Sequence, residues 1–226
     1  MKFTGAHIVS IDQFQRADVD LIFEVADTME PYALRKRVTR VLEGAILGNM
    51  FFEASTRTRI SFGSAFNLLG GQVRETAGFA SSALIKGESL QDTARVLSGF
   101  SDVICMRHPA AGSVAKFASA SRVPVISGGD GDNEHPTQAL LDLYTIRKEM
   151  KGKGRSIDGL KIAMIGDLRY GRTVHSLSKL LSLYKDVEFV LISPHELSLP
   201  KNILELVRSL GFKVSCSDHL TESIVD

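Results

Sequence analysis

The sequence predicts an α/β protein built from two open parallel-sheet α/β domains, the second of them incomplete. Three observations lead there. Short apolar runs alternate with longer amphipathic ones, the pattern of parallel strands joined by crossover helices. A polar, glycine-rich stretch, "KGKGRSIDG" at 151–159, interrupts that alternation, and a fresh one starts after it. The chain has 226 residues and is 44% hydrophobic, enough for one good core or two modest ones. The expected domains are residues 1–150 and 151–226.

The elements follow in order. In "RADVDLIFEVADTM", Val19, Ile22, Phe23, Ala26 and Met29 fall at helical spacing; Ser10 with Gln13 suits a capping box just upstream, and Pro31 is expected to end the helix. "AILGNMFF" then reads as a strand, "TRISFGSAFNLLGG" as a helix, "QVRET" as a strand and "ESLQDTARVLSGF" as a helix. "DVICMRH" is a strand, "SVAKFASAS" a helix and "VPVISGG" a strand, and "PTQALLDLYTIRKEM" forms a helix with proline near its first turn. After the boundary, "LKIAMIG", "EFVLIS" and "FKVSCS" read as strands, "GRTVHSLSKLLSLY" and "PKNILELVRSLG" as helices, and "LTESIVD" opens a further helix. Three strands with no closing helix leave an apolar face uncovered, hence the expectation of an incomplete second domain.

Composition excludes several roles. A formal net charge of +1 supplies no overall field for nucleic acid or acidic membrane, so anion recognition has to be local. No basic stripe with interleaved aromatics occurs and tryptophan is absent, which argues against a nucleic-acid partner. No signal-type apolar segment and no run near the roughly 20 apolar residues of a membrane span is present, so a cytoplasmic protein is expected. Cys105 and Cys216 sit in apolar runs without ligand spacing and read as reduced, buried thiols. Gly166 and Gly171 lack the spacing of a dinucleotide loop, so no nicotinamide cofactor is expected.

The chemistry concentrates where strands give way to helices. "FFEASTRTR" sets Ser55, Thr56, Arg57, Thr58 and Arg59 at such a junction, where free backbone N–H groups and the helix dipole favour an anion. A helix cap at Ser55 or Thr56 with two solvated arginines is the plain alternative. The anion reading is favoured because a cap requires one hydroxyl, and two arginines in a first turn oppose the dipole unless a negative partner is present. Arg107 and His108 follow the strand "DVIC", and His135 and Gln138 another strand; singly, Arg107 suits a surface ion pair and His135 a helix cap equally well. Together the three strand ends offer backbone donors, a guanidinium, an imidazole and a carboxamide, with no nucleophile–base pair, which suits transfer by direct attack. Ser82 and Lys86 precede a helix starting near Glu88, in a stretch that reads either as a surface loop or as a reach into a neighbouring subunit's crevice. Arg169, Arg172 and His175 stand at a strand end of the second domain, where Arg172 suits a carboxylate.

"FFEASTRTR", "MRHP", "HPTQALLDLYT" and "GDLRYGRTVHSL", in this order and spacing, closely resemble the aspartate/ornithine carbamoyltransferase family, from the first helix to the end of the chain. The first and third motifs mark the carbamoyl phosphate half common to both branches; the other two, with the Lys86 loop, look like the aspartate branch. The resemblance implies transfer of a carbamoyl group from carbamoyl phosphate to the α-amine of L-aspartate, with no metal and no cofactor. It implies that Ser55, Thr56, Arg57 and Thr58 hold the phosphate, that Thr58, Arg107 and His135 polarise the carbonyl, and that Gln138 lies near the carbamoyl amide. Ser82 and Lys86 would enter from an adjacent subunit, making a homotrimer the smallest active assembly and leaving room for regulatory chains. Arg172 would bind an aspartate carboxylate, and Glu53 would help hold the two domains closed. The family's second domain continues through a His-Pro-Leu-Pro loop, and nothing of that kind follows Asp226, so this chain alone is expected to bind carbamoyl phosphate better than it turns over. The rival readings are an ornithine or other amine carbamoyltransferase and a truncated, non-catalytic binding or scaffold paralogue.

Overall fold

The computed structural model describes residues 1–77 and 87–220. Contacts divide the chain into two units, Met1–Gln13 with Ala17–Pro136 and Phe14–Arg16 with Thr137–Asp226. The glycine-rich stretch at 151–159 lies within the second.

The first unit carries a sheet of β1 (Ile46–Phe51), β2 (Gln72–Ala77), β3 (Val103–His108) and β4 (Val125–Asp130), in the order β2-β1-β3-β4 with every pairing parallel. Helix α1 (Arg16–Ala33) precedes the sheet, α2 (Thr56–Leu68) follows β1, α3 (Leu90–Leu97) comes before β3, and α4 (Ser113–Ala118) joins β3 to β4. The chain winds one way from β1 to β2 and the other way from there through β3 to β4. Right-handed crossovers therefore place α2 on one face and α3 with α4 on the other. In keeping with this, α2 packs on β1 and β2, while α3 packs on α4.

With both faces covered, the strands read as near-continuous apolar runs, and alternate residues serve opposite cores. Met50, Phe52, Ile104 and Met106 join Ala94, Val114 and Phe117 in one cluster; Leu47, Phe51 and Cys105 join Phe66 in the other. Helix α3 starts where Ser89 accepts the Asp92 N–H at 3.1 Å, a conventional N-cap.

Two local expectations differ from the structure. Pro31 lies inside α1. A proline near the end of a helix removes only its own donor, and the Leu34 N–H still reaches the Glu30 carbonyl at 2.9 Å, so the helix stops at Ala33, just ahead of Arg35 in the left-handed region at φ 58°. The Ser10–Gln13 pair caps the short 3-10 turn Ile11–Gln13 and not α1: Gln13 Oε1 accepts the N–H groups of Val9 and Ser10, and Ser10 Oγ that of Asp12. The segment before this turn lies along the outer edge of β4. Ile8 forms a parallel bridge to Ile126, exchanging bonds of 2.8 Å with Val125 and Ser127, and His7 Nδ1 accepts the Val125 N–H at 3.1 Å.

The second unit includes α5 (Pro136–Gly152) from Thr137 on, Pro136 being the last residue of the first unit. It holds β5 (Lys161–Ile165), α6 (Arg172–Leu181), β6 (Glu188–Ile192), α7 (Lys201–Ser209) and β7 (Lys213–Ser217), in a parallel sheet ordered β5-β6-β7. A 3-10 turn, His195–Leu197, that the sequence reading did not separate lies between β6 and α7. Helices α6 and α7 pack together, and residues 189–192 of the central strand are all buried. Arg16 donates twice to Asp158, at 2.7 Å each, and its guanidinium lies 4.4 Å from the Tyr184 ring centre; the Arg16 bonds hold the Asp158 carboxyl below the usual range. Cys105 is buried as expected, whereas Cys216 is exposed, because it stands on the edge strand β7. All but Leu220 of "LTESIVD" lies outside the described residues. Among the described residues no helix is long and apolar enough to cross a membrane.

Phe117 is fully buried at the centre of the α3–α4 core. Phe117→Ala is expected to lower the unfolding free energy of the first unit by about 3–5 kcal/mol, read by urea denaturation. A loss under about 1 kcal/mol would mean that this core does not hold the unit together.

Candidate active site

Because the crossovers from β1 and β3 leave on opposite faces, a crevice opens at the carboxyl ends of these two neighbouring strands. The register sets Phe51, the last residue of β1, opposite Arg107, and the Phe52 N–H bonds the Arg107 carbonyl at 2.9 Å. Residues 52–55 lead from this point into α2. Ser55 is the residue before the helix, extended at φ −155° and ψ 108°, yet its hydroxyl forms no capping bond. Among the described residues the side chains of Ser55, Thr56, Arg57 and Thr58 enter no hydrogen bond or ion pair. Ser55 and Thr58 are half-buried, and Thr56 and Arg57 are exposed. The first turn of α2 contains no acidic residue to offset its free N–H groups. The capping alternative is therefore not realised, and these side-chain donors are unspent among the described residues.

Arg59 differs from its neighbour. It pairs with Glu75 on β2 at 3.5 Å, and the buried Asn49 donates both to the Arg59 carbonyl (3.0 Å) and to Glu75 (2.9 Å). Of the two arginines read as anion ligands, Arg59 thus has its negative partner inside the fold and braces α2 against the sheet. Arg57 has none among the described residues.

Arg107 is held from the β1 side. Its Nε donates to Glu53 Oε1 at 2.6 Å, its Nη2 lies against the same oxygen, and its Nη1 reaches toward the Gly128 carbonyl at 3.5 Å. With 13% of its side chain exposed, this is a partly desolvated, charge-assisted pair that fixes the plane of the guanidinium, unlike a mobile surface contact. Glu53, expected to serve in closing the domains, is bonded to Arg107.

His108 points away from solvent, its ring meeting Phe52 edge-on at 5.7 Å. Its Nδ1 accepts the Ala110 N–H at 3.0 Å, so in the neutral ring the proton sits on Nε2. Burial lowers its pKa below the usual value of 6.5, while the negative charges of Asp130 and Glu53 act the other way. His135 is buried in the link between β4 and α5.

The first unit thus brings Glu53, Ser55 to Thr58, Arg107 and His135 to the carboxyl edge of one sheet, from β1, β3 and β4. Gln138 and Arg172 belong to the second unit. Gln138 donates to Asp142 at 2.8 Å, and burial raises the pKa of that carboxyl. Arg172 opens α6, half-buried, after a turn in which Asp167 accepts the N–H groups of Arg169 and Tyr170. His175 is buried with Nε2 2.9 Å from the Leu168 carbonyl, and so ties the helix to that turn. Ser82 and Lys86 lie outside the described residues. Sequence reasoning did not assign roles to Asn49, Glu75, His108 or Asp130. The only signal available for them was a polar residue inside an apolar strand or at its end.

A sequence profile of the family described as aspartate/ornithine carbamoyltransferase, carbamoyl-P binding domain, matches residues 6–148. The chain is 74% identical over 224 residues to the aspartate carbamoyltransferase catalytic subunit of Cellvibrio japonicus, covering 99% of this chain and 66% of that protein. It is 71% identical to the corresponding subunit of Saccharophagus degradans, with the same coverage. The chain therefore spans just under two thirds of the length of these relatives. Among solved structures it resembles the catalytic subunit of M. jannaschii aspartate transcarbamoylase, with a TM-score of 0.87 and 47% identity over 96% of this chain and 69% of that one. It also resembles the Trypanosoma cruzi aspartate transcarbamoylase in complex with carbamoyl phosphate and aspartate, with a TM-score of 0.89 and 38% identity over 98% and 69% of the two chains.

An unfolded histidine takes up a proton near pH 6.5, and the folded His108 does so only lower, so below about pH 6.5 the unfolded state binds more protons. The stability that neutral His108 contributes is complete above that pH and is lost as pH falls toward the depressed value. Unfolding free energies measured between about pH 7 and pH 5 should fall on acidification, and His108→Asn, which keeps an acceptor for the Ala110 N–H, should flatten the profile. Parallel profiles for the two proteins would contradict this.

Proposed function

The chain belongs to the aspartate/ornithine carbamoyltransferase family, and from that premise we propose that the protein transfers the carbamoyl group of carbamoyl phosphate to the α-amine of L-aspartate. The products are N-carbamoyl-L-aspartate and phosphate, the first feeding pyrimidine biosynthesis. The observation that carries the reading is the unspent donor set of residues 55–58 at the start of α2, next to an arginine already held in place by Glu53.

In this reading the phosphate docks on the N–H groups that open α2 and on the side chains of Ser55, Thr56, Arg57 and Thr58. A doubly negative ligand there offsets the helix dipole and the Arg57 charge together. Thr58, Arg107 and His135 donate to the carbonyl oxygen, where negative charge grows as the amine attacks. Donors aimed beforehand at that oxygen lower the barrier without reorganising, and the Glu53 bonds hold the guanidinium still between turnovers. Gln138 contacts the carbamoyl amide and Arg172 an aspartate carboxylate. Phosphate leaves and takes the proton of the attacking amine. No covalent intermediate forms, and catalysis rests on placing two substrates and on electrostatics.

Ser82 and Lys86 complete the site from an adjacent subunit of a homotrimer in the cytoplasm. The domains in this scheme are a carbamoyl phosphate-binding part, residues 1–150, and an aspartate-binding part from 151 onward. The activity is proposed for the protein at full length. The 226-residue chain by itself is proposed to bind carbamoyl phosphate better than it turns over.

Isothermal titration of this chain with carbamoyl phosphate should give measurable binding, and Arg57→Ala should weaken it at least about tenfold, the loss expected for a charge-assisted contact. Unchanged affinity would overturn the phosphate site. Full-length protein assayed side by side with aspartate and ornithine should carbamoylate aspartate. Preference for ornithine would move the protein to the other branch of the family, and no transfer to either would favour a binding or scaffold role.

A further inference from the structure

Two loops that adjoin groups proposed for the carbonyl oxygen are tied together by one buried carboxylate. Asp130 ends β4, is 3% exposed and stands opposite His108 in the parallel register. Its Oδ2 accepts the Val114 N–H at 3.4 Å, and its Oδ1 the Asn133 side-chain amide at 3.3 Å. The backbone N–H groups of Gly112 and Glu134 also favour its charged form, against a burial that raises its pKa. The donors come from two places: the loop after β3 with the start of α4, and the loop after β4.

The backbones of the same two loops lock directly. The Gly131 N–H bonds the His108 carbonyl at 2.9 Å, and the Ala110 N–H bonds His108 Nδ1 at 3.0 Å. Gly131 is in the left-handed region at φ +53°, and a Cβ there would stand 2.9 Å from the Ala111 nitrogen and 3.0 Å from the Pro109 oxygen. Arg107 is the last residue but one of β3, just ahead of the first loop, and His135 is the last residue of the second loop before α5. An apolar side chain at 130 would fill the space without desolvation but would leave these donors with no acceptor.

We propose that Asp130 is a positioning residue that pins the β3–α4 loop to the β4–α5 loop and so sets the spacing of the Arg107 guanidinium and the His135 imidazole. It deepens the proposed carbamoyl transfer and rests on that reading for its kinetic consequence. Misplacement of paired donors by a fraction of an ångström falls on the rate of the chemical step, while the phosphate cradle at the start of α2 is left alone.

Asp130→Asn keeps the size of the side chain and turns one acceptor into a donor facing donors. In the full-length protein kcat should fall at least about tenfold, while the dissociation constant for inorganic phosphate stays within about twofold. Asn133→Ala, which removes one donor and keeps the carboxylate, is the gentler companion should the first variant fail to fold; its kcat should fall about threefold, again with phosphate affinity kept. The His135 ring signals in NMR spectra of the same variants should shift from those of the unsubstituted protein. A lowered melting temperature with kcat per folded molecule and His135 signals unchanged would overturn the proposal, as would equal losses of kcat and phosphate affinity. If the unsubstituted protein transfers no carbamoyl group, the functional reading fails on that result, and the His135 signals still decide whether Asp130 holds the loops.

Discussion

The parallel pairing of β1 with β3 is the constraint on which the first unit depends. These two strands are not consecutive in the chain, and the helices leaving them depart on opposite faces, so their carboxyl ends cannot be closed over by a single crossover. The register then does the chemical placement. Phe51 opposite Arg107 brings Glu53, two residues beyond the strand, within reach of the guanidinium, and sets the start of α2 beside the same crevice. A slip of one residue would turn Met50 and Ile104 out of one core and Leu47 and Cys105 out of the other, so packing on both faces enforces the register that the site requires.

Polarity is graded along these strands. Charged side chains gather near the carboxyl ends, where they are paired with partners in the fold. Arg107 is held by Glu53, Arg59 by Glu75, and Asp130 by donors from two loops. Each costs desolvation and is tolerated because its partner is already in place. The four residues from Ser55 to Thr58 have no such partner among the described residues, and that contrast supports the anion site proposed for them.

The alternation of strands and helices was legible because hydrophobic period and turn residues are local, and each strand and helix read from it up to β7 lies within a few residues of its observed bounds. The junction at Ser55 was legible for the same reason. What escaped were relations between distant segments. Nothing near Arg59 in sequence announces Glu75, since their meeting requires β1 and β2 to pair first. Cys216 sits in an apolar run like that of Cys105, and only the strand order shows that one stands on an edge and the other at the centre. Pro31 carried a local rule too far, because a helix one turn from its end loses little by a missing donor. Nothing near Asp130 in sequence announces its donors, since Val114 and Asn133 meet it only once two loops from separate strands lie against each other.

The short ribbon at His7 and Ile8 guards a vulnerable flank. Without it the backbone of β4 would present unpaired amides and carbonyls beside an apolar strand, a template on which further chains can stack. Any handling that peels this ribbon away, such as clipping by a protease or a bulky fusion at the N-terminus, would open that edge to self-association while leaving the carboxyl ends of the strands intact. Loss of yield through self-association would then be mistaken for loss of chemistry.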